Sequence, residues 1–236
     1  MKYWIRRTLD EQEKLRAKTE EELEIQLKKY YQNALKQVMK RYALTYEKFT
    51  NAETVTPNTL YTLDRYWGMQ KEIVEVLTAL GDKSVKAMER SFNKEYKQTF
   101  EAIKIPEHTY NGKPSTEGAK AAIDSIWCAD GKHFSQRIWK NTNLLIQELN
   151  EGLVNISITG SGTDEFTRYL MERFNVSYNR AKAVVVTEMT HIQTQATKDR
   201  YEGYGLTEYE FLDTEDEKTC ERCKALDGKR FKLSEL

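Results

Sequence analysis

The sequence has little that breaks a helix: three Pro and eleven Gly in 236 residues, and neither type within the first fifty. Lys, Glu, Leu and Gln abound instead, and their straight side chains lose little rotamer freedom in a helix. Cysteine is equally sparse. Three residues, two of them in one close pair, make no disulfide framework, and a reducing compartment fits them best. No run approaches the ~18 apolar residues of a membrane span. Met1–Asp10 carries early positive charge without a following apolar segment or cleavage site, so no signal peptide is predicted. Charge of neither sign dominates. Lys+Arg and Asp+Glu are both 37, the net charge is zero, and no global field draws the chain to nucleic acid. Gly-rich phosphate loops, nucleophile elbows and paired carboxylates are missing too, which predicts a protein that is not an enzyme.

Hydrophobic residues make up 39% and charged residues 31%, against roughly 45–50% apolar in an average domain when glycine is counted. The core is therefore modest, and much of the surface is solvated or covered by partners. Charge is uneven along the chain. Residues 1–50 hold twelve Lys/Arg against eight Asp/Glu, whereas Gly205–Glu217 holds six acidic residues and no basic one.

Apolar periodicity divides the chain. Leu23, Leu27, Tyr30, Tyr31, Ala34, Val38, Tyr42, Thr45 and Phe49 recur at three- and four-residue steps, predicting one long amphipathic helix over Leu15–Phe49. Such a helix reaches about 50 Å at ~1.5 Å per residue. Either part of its tyrosine-rich stripe packs on another chain, or the helix belongs to a bundle within this one. After the break at Thr56-Pro57-Asn58, Leu60, Leu63, Trp67, Val74, Leu77 and Leu80 form a second stripe, closed by Gly81-Asp82; Val85, Met88, Phe92, Tyr96 and Phe100 form a third.

Two prolines and Asn111-Gly112 mark Ile105–Thr116 as a loop and the best domain boundary. The expected organisation is a helical region over 1–104, a linker over 105–117 and a second domain over 118–236. In that domain Ala119–Ile126, Ser135–Leu153, and Thr163 to Phe174 read as helices, with a turn at Asp130-Gly131 and a flexible Gly160-Ser161-Gly162. Ser177 reads as the N-cap of a long helix that Gly203 and Gly205 end. Only then does the period alternate: Tyr209 and Phe211 share one side of a strand, and Arg230–Leu233 is its partner across the turn Leu226-Asp227-Gly228-Lys229. The fold class is mainly α, a long-helix N-terminal region plus a helical C-terminal domain ending in a small α+β knuckle.

Several strings carry a resemblance. Trp127-Cys128-Ala129-Asp130-Gly131-Lys132 leads into Phe134-Ser135-Gln136-Arg137-Ile138-Trp139; Glu172-Arg173-Phe174-Asn175-Val176-Ser177 and Thr187-Glu188 follow; Lys218-Thr219-Cys220-Glu221-Arg222-Cys223 precedes Leu226-Asp227-Gly228-Lys229 and Phe231. In order and spacing, from Trp127 to Leu233, they resemble the phage Mu F-like minor head (head-morphogenesis) family, in the form found in phages of Gram-positive bacteria. The resemblance implies a low-copy structural component of the phage head, associated with the portal protein and inner capsid and supporting head assembly and DNA delivery. It would sit in the virion, and in the host cytoplasm during assembly. The alternative is a DNA-binding accessory protein carried inside the head. Homo-oligomers are compatible with either.

Cys220 and Cys223 are the sharpest local feature. Two thiolates at this spacing grip one side of a tetrahedral Zn²⁺, and a second pair must close the shell. The resemblance implies that second pair in a His-x-x-Cys-type segment beyond the Leu-Asp-Gly-Lys turn, which does not occur before Leu236. His108, His133 and His191 lie in no local ligand pattern with the cysteines. No cofactor is therefore expected, and zinc only if distant residues or another subunit complete the half-site. A redox role is disfavoured because the surroundings read as strand, acidic loop and turn. Glu188, on the inner or border face of its helix, has no acid/base partner nearby, and a structural bond to Arg137 or Arg180 is expected. Trp4, Trp67, Trp127 and Trp139 read as packing anchors. Lys28, Lys29, Lys36, Lys40 and Arg41 lie at helical spacing among tyrosines, a pattern that can touch phosphate backbones but first reads as a solvated face.

Overall fold

A computed structural model describes residues 2–50, 63–105, 108–159, 163–212 and 220–235, with side chains placed for 10–45, 67–105, 108–155, 164–212 and 220–235. The architecture is mainly α. Six helices are described: α1 (Lys2–Thr50), α2 (Leu63–Ala102), α3 (Thr116–Asp124), α4 (Phe134–Thr159), α5 (Thr163–Gly203) and the four-residue α6 (Glu221–Lys224). Strands β1 (Glu208–Glu210) and β2 (Arg230–Lys232) pair antiparallel with Tyr209 opposite Phe231, and a 3-10 turn follows at Leu233–Glu235. No helix among the described residues is long and apolar enough to cross a membrane. Residues 51–62, with the Pro57 break and Leu60, lie outside the described residues, as do 160–162 and the acidic positions 213–217.

The chain forms two compact units. One comprises Met1–Thr19, Phe92–Ser125 and Met189–Leu236; the other comprises Glu20–Ser91 and Ile126–Glu188. Both units draw on residues before and after the 105–117 stretch.

In the second unit the long stripe of α1 is core. Leu23, Leu27, Tyr31, Ala34 and Val38 are buried, so the bundle reading holds there and the exposed-interface reading does not. Tyr31 packs edge-on against Tyr178 with centroids 5.7 Å apart, and its hydroxyl accepts a 3.3 Å bond from Asn141 Nδ2. Tyr42 lies on Phe166 at 4.3 Å. Eleven residues apart on α1, the two tyrosines thus find their partner rings on α5 of the same chain. Burying rings of this size supplies most of what holds such helices together. The side chain of Phe49 lies outside the described residues.

Two expected helix boundaries are absent. Gly81-Asp82 does not close a helix, because α2 runs through it. Gly81 is buried, and a Cβ there would come within 2.9 Å of Trp139 Cζ3 and 3.2 Å of Thr142 Oγ1. Its missing side chain lets α4 approach α2, which is a packing reason for glycine and not a stop signal. Likewise Ser177 is not an N-cap. It is buried inside α5, which is continuous from Thr163 because Phe166, Leu170, Phe174, Ala181 and Val185 keep one apolar stripe with no proline between them. Asp164 and Glu165 sit in the first turn of α5, where carboxylates favour the helix N-terminus.

The tryptophans depart from expectation as well. Trp67 is 59% exposed and Trp127 42% exposed, so neither is a buried anchor; Ile73 is buried on α2 where the adjacent Val74 is not. Trp139 does pack, on Gly81. The side chain of Trp4 lies outside the described residues.

The first unit is built around Phe92, Tyr96, Phe100, Ile103, Ile123, Met189, Ile192 and Ala196, all buried. α3 starts where Ser115 caps it, its Oγ accepting from Gly118 N at 3.1 Å. α5 ends as Gly203 and Gly205 foretold. Gly205 takes φ +74°, Gly205 N bonds Glu202 O at 2.8 Å and Leu206 N bonds Tyr201 O at 3.1 Å, which closes a left-handed C-cap. The chain then enters β1, and the turn before β2 is closed by Gly228 (φ +71°) donating to Phe211 O at 2.8 Å.

Candidate functional site

Three of the strings that carry the resemblance, Trp127–Lys132, Phe134–Trp139 and Thr187-Glu188, meet at one side chain, that of Arg137. Arg137 lies in the first turns of α4, whose start is set by a reciprocal cap: Gln136 N bonds His133 O at 3.0 Å, and His133 N bonds Gln136 Oε1 at 2.9 Å. The preceding loop turns at Gly131 (φ +62°), with Lys132 N on Asp130 Oδ1 at 3.2 Å. That turn aims the Asp130 carboxylate at Arg137. The guanidinium grips it with two bonds, Nε to Oδ2 at 3.0 Å and Nη2 to Oδ1 at 2.7 Å, and also donates to the Lys132 carbonyl at 2.9 Å. Its Nη1 reaches Glu188 Oε1 on α5 at 2.5 Å, while Glu188 Oε2 accepts the Trp127 indole N–H at 3.0 Å.

The electrostatics follow from this geometry. The bond from Arg137 holds the Asp130 carboxyl down at about 2, and Asp130 in turn holds the guanidinium above its ordinary range. Glu188 is 4% exposed with both oxygens engaged. To act as a general base it would have to release a buried cation, so the arrangement is suited to positioning the 127–133 loop. The expected bond from Glu188 goes to Arg137; Arg180 pairs with Glu148 at 3.6 Å instead. Sequence reasoning missed the roles of Asp130 and Trp127, although both stand in a string that also contains the turn glycine.

Cys220 and Cys223 are brought together. Cys220 caps α6 and accepts from Cys223 N at 3.4 Å, and the two sulfurs lie 3.3 Å apart without a disulfide between them. Bonds to Cys223 lower the Cys220 thiol below its usual range. Two Zn–S bonds of ~2.3 Å at a tetrahedral angle would separate the sulfurs by about 3.8 Å, so the pair has nearly the bite of half a shell. Among the described residues no group of three or more His, Cys, Asp or Glu converges as a metal site. The histidines lie elsewhere: His108 is exposed beside the Tyr204 ring, His133 meets Ser135 Oγ at 2.7 Å, and His191 Nε2 meets Ser125 Oγ at 2.7 Å. Burial lowers the His191 imidazole below its usual range.

One buried cation escaped the sequence reading altogether. Arg200 of α5 is 7% exposed, lies over the rings of Phe100, Tyr110 and Tyr204 at 5.0, 4.9 and 4.7 Å, and donates to the carbonyls of Ile103 (3.1 Å) and Gly112 (3.1 Å). Its signal was there in the spacing, four residues after Ala196 on the buried stripe that also holds Ile192. A basic residue at such a position must find carbonyls or rings.

The five basic positions singled out on α1 face solvent. Lys28, Lys29, Lys36, Lys40 and Arg41 are exposed, and Arg41 also reaches Glu72 at 3.2 Å. Between Glu24 and Glu47 the helix carries these five cations and no carboxylate. Glu24 itself is held by Lys182 at 2.6 Å.

No curated protein and no solved structure matches the chain. Residues 147–236, less than half of the chain, match the family model described as Phage Mu protein F like protein. Glu188, Cys220 and Cys223 lie within the matched residues, and Trp127, Asp130 and Arg137, which precede them, are tied to Glu188 in space. Over those residues the chain is similar to the Mu F-like phage family.

Proposed function

We propose that this chain is a phage minor head protein, a low-copy structural component associated with the portal and inner capsid that supports head assembly and DNA delivery. The match over residues 147–236 carries this reading. The Arg137 cluster supports a structural and non-catalytic role, since its carboxylates are engaged in holding a loop. The protein would reside in the virion after passing through the host cytoplasm. Mass spectrometry of purified virions, with pull-down of the portal protein by the full chain, tests it. Recovery of the chain in heads at a few copies, together with portal capture, is the expected result. Absence from virions rejects the reading.

The exposed face of α1 favours a second reading, contact with packaged DNA. Lys29, Lys36 and Lys40 fall within about 40° of one another around the helix and span about 16 Å of it. A salt titration of duplex DNA binding separates the two readings. If the face makes the contact, replacing these three lysines by Gln lowers the slope of log K against log salt by about 0.9 for each. An unchanged slope leaves protein contacts as the means of attachment.

A further inference from the structure

Asn111-Gly112 is the only place in the sequence where Gly follows Asn. The pair lies in the segment between α2 and α3, outside any helix, and the Asn111 side chain is exposed. Among the described residues the Gly112 N–H donates no hydrogen bond. Every other described asparagine sits in a helix, where the N–H of the next residue is held by the carbonyl four residues back.

We propose that Asn111 is a site of spontaneous deamidation and isoaspartate formation, and that its product loosens the hold of Arg200 on this segment. The Gly112 backbone nitrogen, deprotonated by solvent hydroxide, attacks Asn111 Cγ. The N–Cγ bond forms, the Cγ–Nδ2 bond breaks, and the nitrogen leaves as ammonia after taking a proton from water. A five-membered succinimide remains. Water then adds to one of its two carbonyls, opening the ring to aspartate or isoaspartate, and no oxidation state changes. Glycine after asparagine favours the step because no Cβ shields the attacking nitrogen and the backbone can reach the required dihedrals.

The consequence is set by what flanks the site. The carbonyls of Tyr110 and Gly112, one on each side of Asn111, both accept from Arg200, at 3.5 and 3.1 Å. The Tyr110 ring lies over the same guanidinium at 4.9 Å. Isoaspartate inserts a methylene carbon into the backbone between those two carbonyls and places a new carboxylate beside them. The guanidinium can then no longer hold both carbonyls at their present spacing.

The test uses the full chain, warmed in mildly alkaline buffer and sampled by peptide mapping with enzymatic methylation of isoaspartate. Isoaspartate should appear at position 111 before any other asparagine, faster as pH rises, with one ammonia released per event. Asn111→Gln, at an exposed position, should retain the fold and abolish the signal. The aged form, separated by anion exchange, should melt at a lower temperature than the fresh protein. Isoaspartate formed no faster at 111 than at the helical asparagines overturns the site. An aged form that melts with the fresh one overturns the link to Arg200.

Discussion

Arg137 shows how one side chain can organise a recognisable stretch of sequence. Its side chain is 14% exposed and that of Glu188 5%, so removing Arg137 strands the Glu188 carboxylate out of water, whereas removing Glu188 leaves the guanidinium still on Asp130. Arg137→Ala should therefore cost about 3–5 kcal/mol of stability in denaturant unfolding. Glu188→Gln should cost less, because an amide oxygen still accepts from Trp127. The Asp130 arm adds a pH dependence. Its carboxyl is depressed from 3.8 to about 2 by the bond from Arg137, so its contribution is complete above the unfolded value near 3.8 and is lost as pH falls through about 2. The Trp127 indole N–H resonance should shift across that acid window, and Asp130→Asn should remove the shift. A resonance insensitive to both would mean that the loop is held by something else. At this scale the sequence was legible for Glu188, whose position on an inner face demanded a partner. It was silent on Asp130 and Arg200, because their partners lie across a turn or in the segment between α2 and α3, far back in the chain.

Helix boundaries were misread wherever a residue's packing duty outweighed its local propensity. α2 contains two glycines that look alike in sequence and differ in surroundings. Nothing lies within 4 Å of a Cβ at Gly68, whereas a Cβ at Gly81 would press on Trp139 at 2.9 Å. Gly68→Ala should stabilise the protein by about 0.5–1 kcal/mol through the lower entropy of the unfolded chain. Gly81→Ala carries the same gain but an overpacking cost of about 1–3 kcal/mol, and should leave stability unchanged or lower. Thermal melts of the two variants check this, and a Gly81→Ala variant that gains as much as Gly68→Ala would refute the close approach. Ser177 makes the same point from the other side. Serine caps helices when the chain before it is not helical, but here the stripe from Phe166 to Phe174 already commits that chain to α5. Capping signals state where a helix can start, and burial on both sides decides whether it does.

For the molecule as a whole, the knuckle near the C-terminus is the feature with a measurable composition. Cys220 and Cys223 offer two thiolates 3.3 Å apart, half of a tetrahedral zinc shell. Protein purified without chelator should carry well under one zinc per chain by elemental analysis. One tightly held zinc would point to ligands supplied from a distance or by a second subunit. Composition and periodicity by themselves determined that this protein is mainly α, that its only alternation of period comes after Gly205, and that α1 carries an apolar stripe, because helix propensity and face periodicity are properties of neighbouring residues. The tertiary structure alone decided what covers that stripe. Tyr31 and Tyr42 are answered by Tyr178 and Phe166 of the same chain, so a face that read as available to a partner is core. It also decided which residues share a compact unit: Phe92–Ser125 joins Met1–Thr19 and Met189–Leu236. Such groupings depend on contacts between residues far apart in the chain, and local pattern carries no record of them.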